Sequence, residues 1–180
     1  LRARSCAILT GIGTVRADDP ALTVRDVPCK RQPIKVLLDS RLEIEDSARL
    51  LHAGEVWIMT ASADTARAEQ LRARGHRVEQ LPVEPVKGKV DLAALMRRLG
   101  ELGINELMVE TGSKLNGSLI SAGMVDDLVL YTAPSLLGDT ALGMTGITPL
   151  ANLDERVRLS ITDVRRIGAD VRTTARMEKH

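Results

Sequence analysis

The residues best equipped for chemistry crowd one run, TGIGTVRADDPALTVR, from Thr10 to Arg25. Gly11 and Gly13 permit a sharp bend, Thr14 carries a hydroxyl, and Asp18 and Asp19 carry carboxylates. Pro20 keeps Asp19 out of the right-handed helical region, so the chain turns away there. Arg25 then returns a cation, and Arg2 stands a little ahead of the run. Two arginines with an acid between them suit a sugar phosphate, with phosphate on the guanidinium groups and hydroxyls on the carboxylate. An ordinary Asp-Asp-Pro surface turn is the plain alternative when this run is taken alone.

Two further clusters are of the same kind. In VETGSKLNGS, Val109 to Ser118, Glu110 closes an apolar run, Gly112 permits a tight turn, and a helix starts at about Lys114 or Leu115. Amides at a helix start, with the helix dipole behind them, suit an anionic group such as a pyrophosphate. Gly117 lacks a Cβ that would obstruct close approach. The spacing is not GxGxxG, and a glycine turn with helix-packing glycines explains it equally well. In LLDSR, Leu37 to Arg41, Ser40 and Arg41 follow a buried run and suit the 2′-phosphate of NADP. A solvated turn explains that pair as well.

What must hold these clusters is an alternation of strand-like and helix-like segments. Ser5–Gly11, Ile34–Ser40, Glu55–Thr60, His76–Leu81 and Asn105–Glu110 read as strands, several without the polar alternation of a one-faced sheet. Ser62 or Asp64 caps a helix that runs through Arg74 to Gly75, and Asp91 caps another, with Leu92, Leu95, Met96 and Leu99 on one face, that stops at Gly103. Pro82 and Pro85 mark a loop. Asp126–Pro134 reads as the last central strand, followed by a long loop holding Gly138, Gly143, Gly146 and Pro149. A terminal antiparallel hairpin turns near Gly168 and Asp170. The fold class is α/β: a mostly parallel sheet with helices on both faces and a C-terminal antiparallel hairpin. In such sheets ligands bind where strands end, which is where all three clusters stand.

Composition narrows the function. At 180 residues the chain fits one domain. A net charge of +1, with both signs interspersed, gives no field to draw nucleic acid or an anionic membrane. With one Trp, one Tyr and no Phe there is no base-stacking platform. Cys6 and Cys29 lack the spacing of a metal knuckle and read as reduced and structural, and His52, His76 and His180 stand apart, so no metal is expected. No apolar run reaches the ~20 residues of a spanning helix, and no signal peptide opens the chain, which points to the cytoplasm.

The run GIGTVRADDPALTVR resembles the signature of the reductase half of bacterial bifunctional riboflavin-biosynthesis proteins, deaminase and reductase in one chain. VETGSKLNGSLI, VDDLVLYTAPSLLG and the closing IGADVR match later segments of that family in the same order. The resemblance covers essentially all 180 residues and implies a dihydrofolate-reductase-like fold. It also implies reduction of 5-amino-6-(5-phosphoribosylamino)uracil to the ribitylamino product by NADPH, and association into a homodimer. Carried across, it gives Thr14 and Asp18 to the cofactor, with Asp18 near the reacting centre. It gives Arg2, Leu22 and Arg25 to the substrate, the arginines at its phosphate. Glu110 falls to the substrate, and Gly112, Ser113, Lys114, Leu115, Asn116, Gly117 and Ser118 fall to the cofactor pyrophosphate. Ser40 joins the cofactor set. Asp18 or Glu110, or water held by either, is the candidate for proton transfer. Residues 1–180 read as a single reductase domain, without the family's first strand and without a deaminase half. The alternatives are a pyrimidinone-phosphate reductase of the same fold, a non-catalytic nucleotide-binding fragment, and a purely structural domain.

Overall fold

The computed structural model describes residues 1–25 and 27–178, so His180 lies outside the described residues. The chain divides into two compact units, Leu1–Gly112 and Ser113–His180, each described here by itself.

In the first unit, chain order is β1 (Ala7–Gly11), α1 (Ile12–Asp18), β2 (Ile34–Leu38), α2 (Arg49–His52), β3 (Val56–Thr60), α3 (Thr65–Ala73) and β4 (Arg77–Gln80). Then come β5 (Val83–Glu84), β6 (Lys89–Val90), α4 (Leu92–Glu101) and β7 (Leu107–Val109). Five strands form one sheet in the order β4-β3-β2-β1-β7, every pair parallel. Ala7, Ile8, Leu9 and Thr10 are buried in succession, as are Val56 to Thr60. Successive side chains point to opposite faces, so both faces of the sheet are covered. This is why the strands read as unbroken apolar runs.

The caps are as the sequence suggests. The Asp64 carboxylate accepts from the Arg67 N–H, and Asp91 accepts from Ala94 N–H. Gly75 and Gly103 follow their helices at φ +86° and +82°, the left-handed region that glycine enters without strain. In α4, Leu95 and Leu99 are buried together with Ala94, while Leu92 and Met96 are half-buried.

Some readings need correction. Residues 12–18, where the sequence suggests a sharp bend, form a short helix, and the Pro82–Pro85 stretch, read as a loop, opens a two-stranded antiparallel ribbon, β5 with β6. Gly11, which caps α1, has φ −106° and ψ 156°, an extended conformation open to any residue. The bend after β1 does not depend on glycine.

The second unit holds α5 (Ser113–Ser121), β8 (Asp127–Thr132), a single 3-10 turn (Leu153–Glu155), β9 (Leu159–Ile167) and β10 (Asp170–Met177). The terminal hairpin forms as read, with Ile167 opposite Asp170 and Gly168 at φ +62° in the turn. β8 is not a central strand of the parallel sheet. It pairs antiparallel with β10, Thr132 opposite Val171, in the order β8-β10-β9. Its residues are half-buried or exposed, the pattern of a sheet covered on one face at most.

A candidate active site at the switch point of the parallel sheet

Parallel pairing brings the carboxyl ends of β1, β2, β3, β4 and β7 to one edge. The chain steps outward from β1 through β2 and β3 to β4, and β7 lies on the other side of β1. Strand order therefore reverses between β1 and β7, the position where open α/β sheets bind ligands. The turns leaving these two strands carry the first two sequence clusters.

Thr14 lies in the first turn of α1, directly after β1. Its Oγ1 accepts the Gly112 N–H at 3.0 Å and lies 3.5 Å from Thr111 Oγ1. The exit of β1 is thereby fastened to the exit of β7, across 98 residues of chain. The Gly112 amide is engaged by Thr14, so it is not a donor waiting for a phosphate. The Thr14 hydroxyl accepts the Gly112 bond and shares its remaining capacity with Thr111 Oγ1, where either oxygen can donate.

Glu110 follows β7, and its N–H donates to Leu9 O at 2.9 Å. Arg2 grips its carboxylate as a fork: Nε donates to Oε1 and Nη2 to Oε2, each at 2.6 Å. Arg2 Nη1 also donates to Thr23 O at 2.8 Å. The hydrogen bond to Glu110 raises the Arg2 pKa above its ordinary value. Three of the five guanidinium N–H groups are thus committed within the protein.

Asp18 is the last residue of α1; it is exposed and makes no hydrogen bond or ion pair with any described residue. Asp19 adopts φ +40° and ψ 55°, so it does leave the right-handed region, and its carboxylate accepts the Arg49 N–H at 2.8 Å. Leu22 stands at φ +50° with its side chain in the hydrophobic core. A left-handed conformation costs about 1–2 kcal/mol, and burying a leucine returns about 1.5–3 kcal/mol, so burial sets the balance. What Leu22 can offer a ligand is its backbone. Arg25 is exposed, without an ion pair to any described residue.

The LLDSR cluster is largely structural. Asp39 is fully buried and accepts from Ile44 N–H at 2.8 Å and from Arg41 N–H at 3.4 Å, which closes the turn after β2. Ser40 Oγ accepts the Val90 N–H at 3.1 Å, tying β6 to that turn. Arg41 is exposed and lies 3.8 Å from Glu43.

In the second unit, Ser113–Ser118 open α5. An ideal Cβ on Gly117 would lie 2.5 Å from the carbonyl C and O of Gly146. The Gly146 N–H donates to Ser113 O at 2.8 Å, and Asn116 Nδ2 donates to Met144 O at 3.3 Å. The missing side chain at Gly117 makes room for the 144–146 loop of the protein itself, not for a ligand. Ser118 Oγ donates back to Lys114 O at 2.9 Å, Leu115 is half-buried and Lys114 is exposed.

Sequence reading missed Thr111, although both its neighbours were singled out, and Thr10, whose fully buried Oγ1 has no hydrogen-bond partner among the described residues. It also missed the Thr23 carbonyl, which leaves no mark in residue types. A cavity of about 520 Å³ lies elsewhere, lined by Leu51, His52, Gly54, Glu55, Arg74, Gly75 and His76. These residues precede β3 and β4, at the opposite edge of the sheet. Among the described residues no group of three or more His, Cys, Asp or Glu side chains could hold a metal ion, and no helix is long and apolar enough to cross a membrane.

Residues 1–173 match the model of the RibD C-terminal domain. The chain belongs to that family. The riboflavin biosynthesis protein RibD of Escherichia coli is 38% identical over 95% of this chain and 48% of its own length. The chain thus spans about half the length of the RibD relatives it matches. A protein of Archaeoglobus fulgidus named 2,5-diamino-6-ribosylamino-4(3H)-pyrimidinone 5′-phosphate reductase is 35% identical over 99% of this chain and 83% of its own. Among solved structures, RibD of Acinetobacter baumannii superposes with a TM-score of 0.83 at 27% identity, over 98% of this chain and 48% of that one. The fold is that of RibD reductase domains, which are dihydrofolate-reductase-like.

Proposed function

We propose that this RibD C-terminal domain is an NADPH-dependent reductase that converts 5-amino-6-(5-phosphoribosylamino)uracil to 5-amino-6-(5-phosphoribitylamino)uracil. The observation that carries the reading is the linked set Thr14–Gly112 and Arg2–Glu110 at the reversal of strand order between β1 and β7. The hydroxyls of Thr14 and Thr111, together at the exits of β1 and β7, are chemistry that fits a phosphate-bearing dinucleotide. When bound, the reduced nicotinamide supplies the hydride.

The protein then has to hold the sugar open and oriented. The cyclic ribosylamine opens to an imine whose C1′ is electrophilic. Arg25 anchors the distant phosphate, Glu110 accepts a hydrogen bond from a substrate hydroxyl or N–H, and Leu22 contributes backbone. Asp18, or water it holds, moves the proton that accompanies ring opening. Thr14, Asp18 and Gly112 are assigned to the cofactor, Ser40 more weakly because its oxygen already serves Val90, and residues 113–118 keep the cofactor role that the resemblance gives them.

The test is NADPH oxidation with the phosphoribosylamino-uracil and, in parallel, with its 2,5-diamino-pyrimidinone counterpart. The Archaeoglobus relative supports that second substrate as the alternative. NADPH binding without turnover of either pyrimidine would favour a non-catalytic nucleotide-binding fragment. Quenching of Trp57 by NADPH reads binding, and failure to bind would leave a structural domain.

We also propose a cytoplasmic homodimer. Support comes from β9, an edge strand in the sheet order, on which Ile161, Val164 and Ile167 are exposed. A monomer by light scattering, unchanged by Ile161→Glu, would refute that part.

A further inference from the structure

The amino edge of the parallel sheet holds chemistry that the reductase reading does not use. The cavity there, about 520 Å³, has the size of a small-molecule site. Helix-end carbonyls around it are already met. Leu71 O accepts from the Arg74 and His76 N–H groups and Arg72 O from Gly75 N–H, while Leu50 O and Gly54 O accept from Lys35 Nζ. What remains is donors. Arg74 spends two of its five N–H groups on Asp46. His76 is only 8% exposed, its Nδ1 is wholly buried, and no described residue bonds its ring. His52, whose Nε2 donates to Asp46 O, completes this side of the wall. Lys35, 5% exposed, adds a cation behind Gly54 that has no carboxylate partner among the described residues. Glu55 is the one carboxylate in the wall, and its Oε1 accepts from the Trp57 indole at 3.2 Å.

We propose that this cavity is a second ligand site, which takes the phosphate group of inorganic phosphate or of a compact phosphate ester on Arg74 and His76, with His52 at its rim. The donors come from two separate segments, 52 and 74–76, so a group with three acceptor oxygens meets more of them than a flat carboxylate does. An acceptor entering from the cavity also gives the His76 ring a partner that the fold does not supply. Glu55 opposes the anion and sets a limit on its affinity. The site is independent of the reductase reading.

The experiment follows the His76 imidazole by NMR in the full chain while inorganic phosphate or glycerol 3-phosphate is added at constant ionic strength, with acetate and glycerol as controls. Both phosphates should shift the ring signals saturably, and acetate and glycerol should not. After burial itself, Arg74, Lys35 and His52 hold the His76 pKa down and Glu55 holds it up, so a bound anion should raise it. Calorimetry gives the affinities: His76→Gln and Arg74→Gln should each weaken phosphate about tenfold, and Glu55→Gln should tighten it about threefold, a gain that misfolding cannot imitate. An unshifted His76 ring, an acetate response equal to that of phosphate, or affinities unchanged in all three variants would overturn the proposal. So would displacement of the phosphate by NADPH, which would place it at the opposite edge of the sheet. If NADPH does not bind at all, the reductase reading falls and the His76 signals still decide this site.

Discussion

The two edges of the parallel sheet are both rich in polar groups, yet they use them differently. At the amino ends of the strands, Lys35 is buried and its Nζ donates to Leu50 O at 2.8 Å and Gly54 O at 3.1 Å, satisfying carbonyls at and just beyond α2. Arg74 and His52 both turn to Asp46, and Glu55 accepts from the Trp57 indole. His76 is buried there too. At the carboxyl ends, Thr14 and Glu110 are held by partners on the neighbouring strand exits and the preceding turn, while Asp18 and Arg25 are exposed. The 520 Å³ cavity lies at the first edge and the family's signature residues at the second. The described cavity and the candidate site therefore lie at opposite edges of the sheet.

The comparison breaks most visibly through Arg25. Arg25→Ala should raise KM for the phosphorylated pyrimidine about 10–100-fold while NADPH affinity and melting temperature hardly change. Steady-state kinetics in each substrate checks this, and equal loss of both affinities would place Arg25 elsewhere than the phosphate.

Lys35 tests the opposite edge. Burial lowers its pKa from 10.5 to about 8. Between those values the unfolded chain binds the proton and the folded one does not, so this group makes stability rise with pH across that window. Relative to Lys35→Met, wild type should gain about 2–3 kcal/mol from pH 8 to 10.5, read from urea unfolding at each pH. A constant difference would show that Lys35 is not desolvated.

Glycines sharpen the contrast on a smaller scale. Gly117→Ala drives a methyl into the Gly146 backbone and should cost about 1–3 kcal/mol. Gly13→Ala, inside α1 with nothing within 4 Å of the new Cβ, should stabilise by about 0.5–1 kcal/mol. Thermal melts of the two variants would expose any inversion.

His76 gives the smallest effect. Burial, and then the charges of Arg74 and Lys35, lower its pKa from 6.5, with Glu55 opposing and His52 adding slightly. The unfolded chain therefore binds the proton first as pH falls below about 6.5, and stability drops there. His76→Gln should flatten that acid limb, and an unaltered limb would remove His76 as its source.

Much of this was readable one segment at a time. Asp64 and Asp91 cap as their types demand, Gly75 and Gly103 stop helices, and unbroken apolar runs become strands buried on both faces. The misreadings share one cause. β8 looks like a central strand locally, but its sheet is decided by pairing with β10 some forty residues on. Gly117 looks like room for a ligand, but the room is taken by a loop nearly thirty residues away.

The sequence by itself determined the alternation of elements, their caps, and the membership that RibD-like segments in order convey, because these depend on neighbours within a turn or two. Only the tertiary structure decided that Arg2 closes on Glu110, 108 residues away, and that Thr14 takes the Gly112 amide, 98 residues away. Such bonds depend on parallel register and on which strand lies beside β1, and no local pattern of residues encodes either.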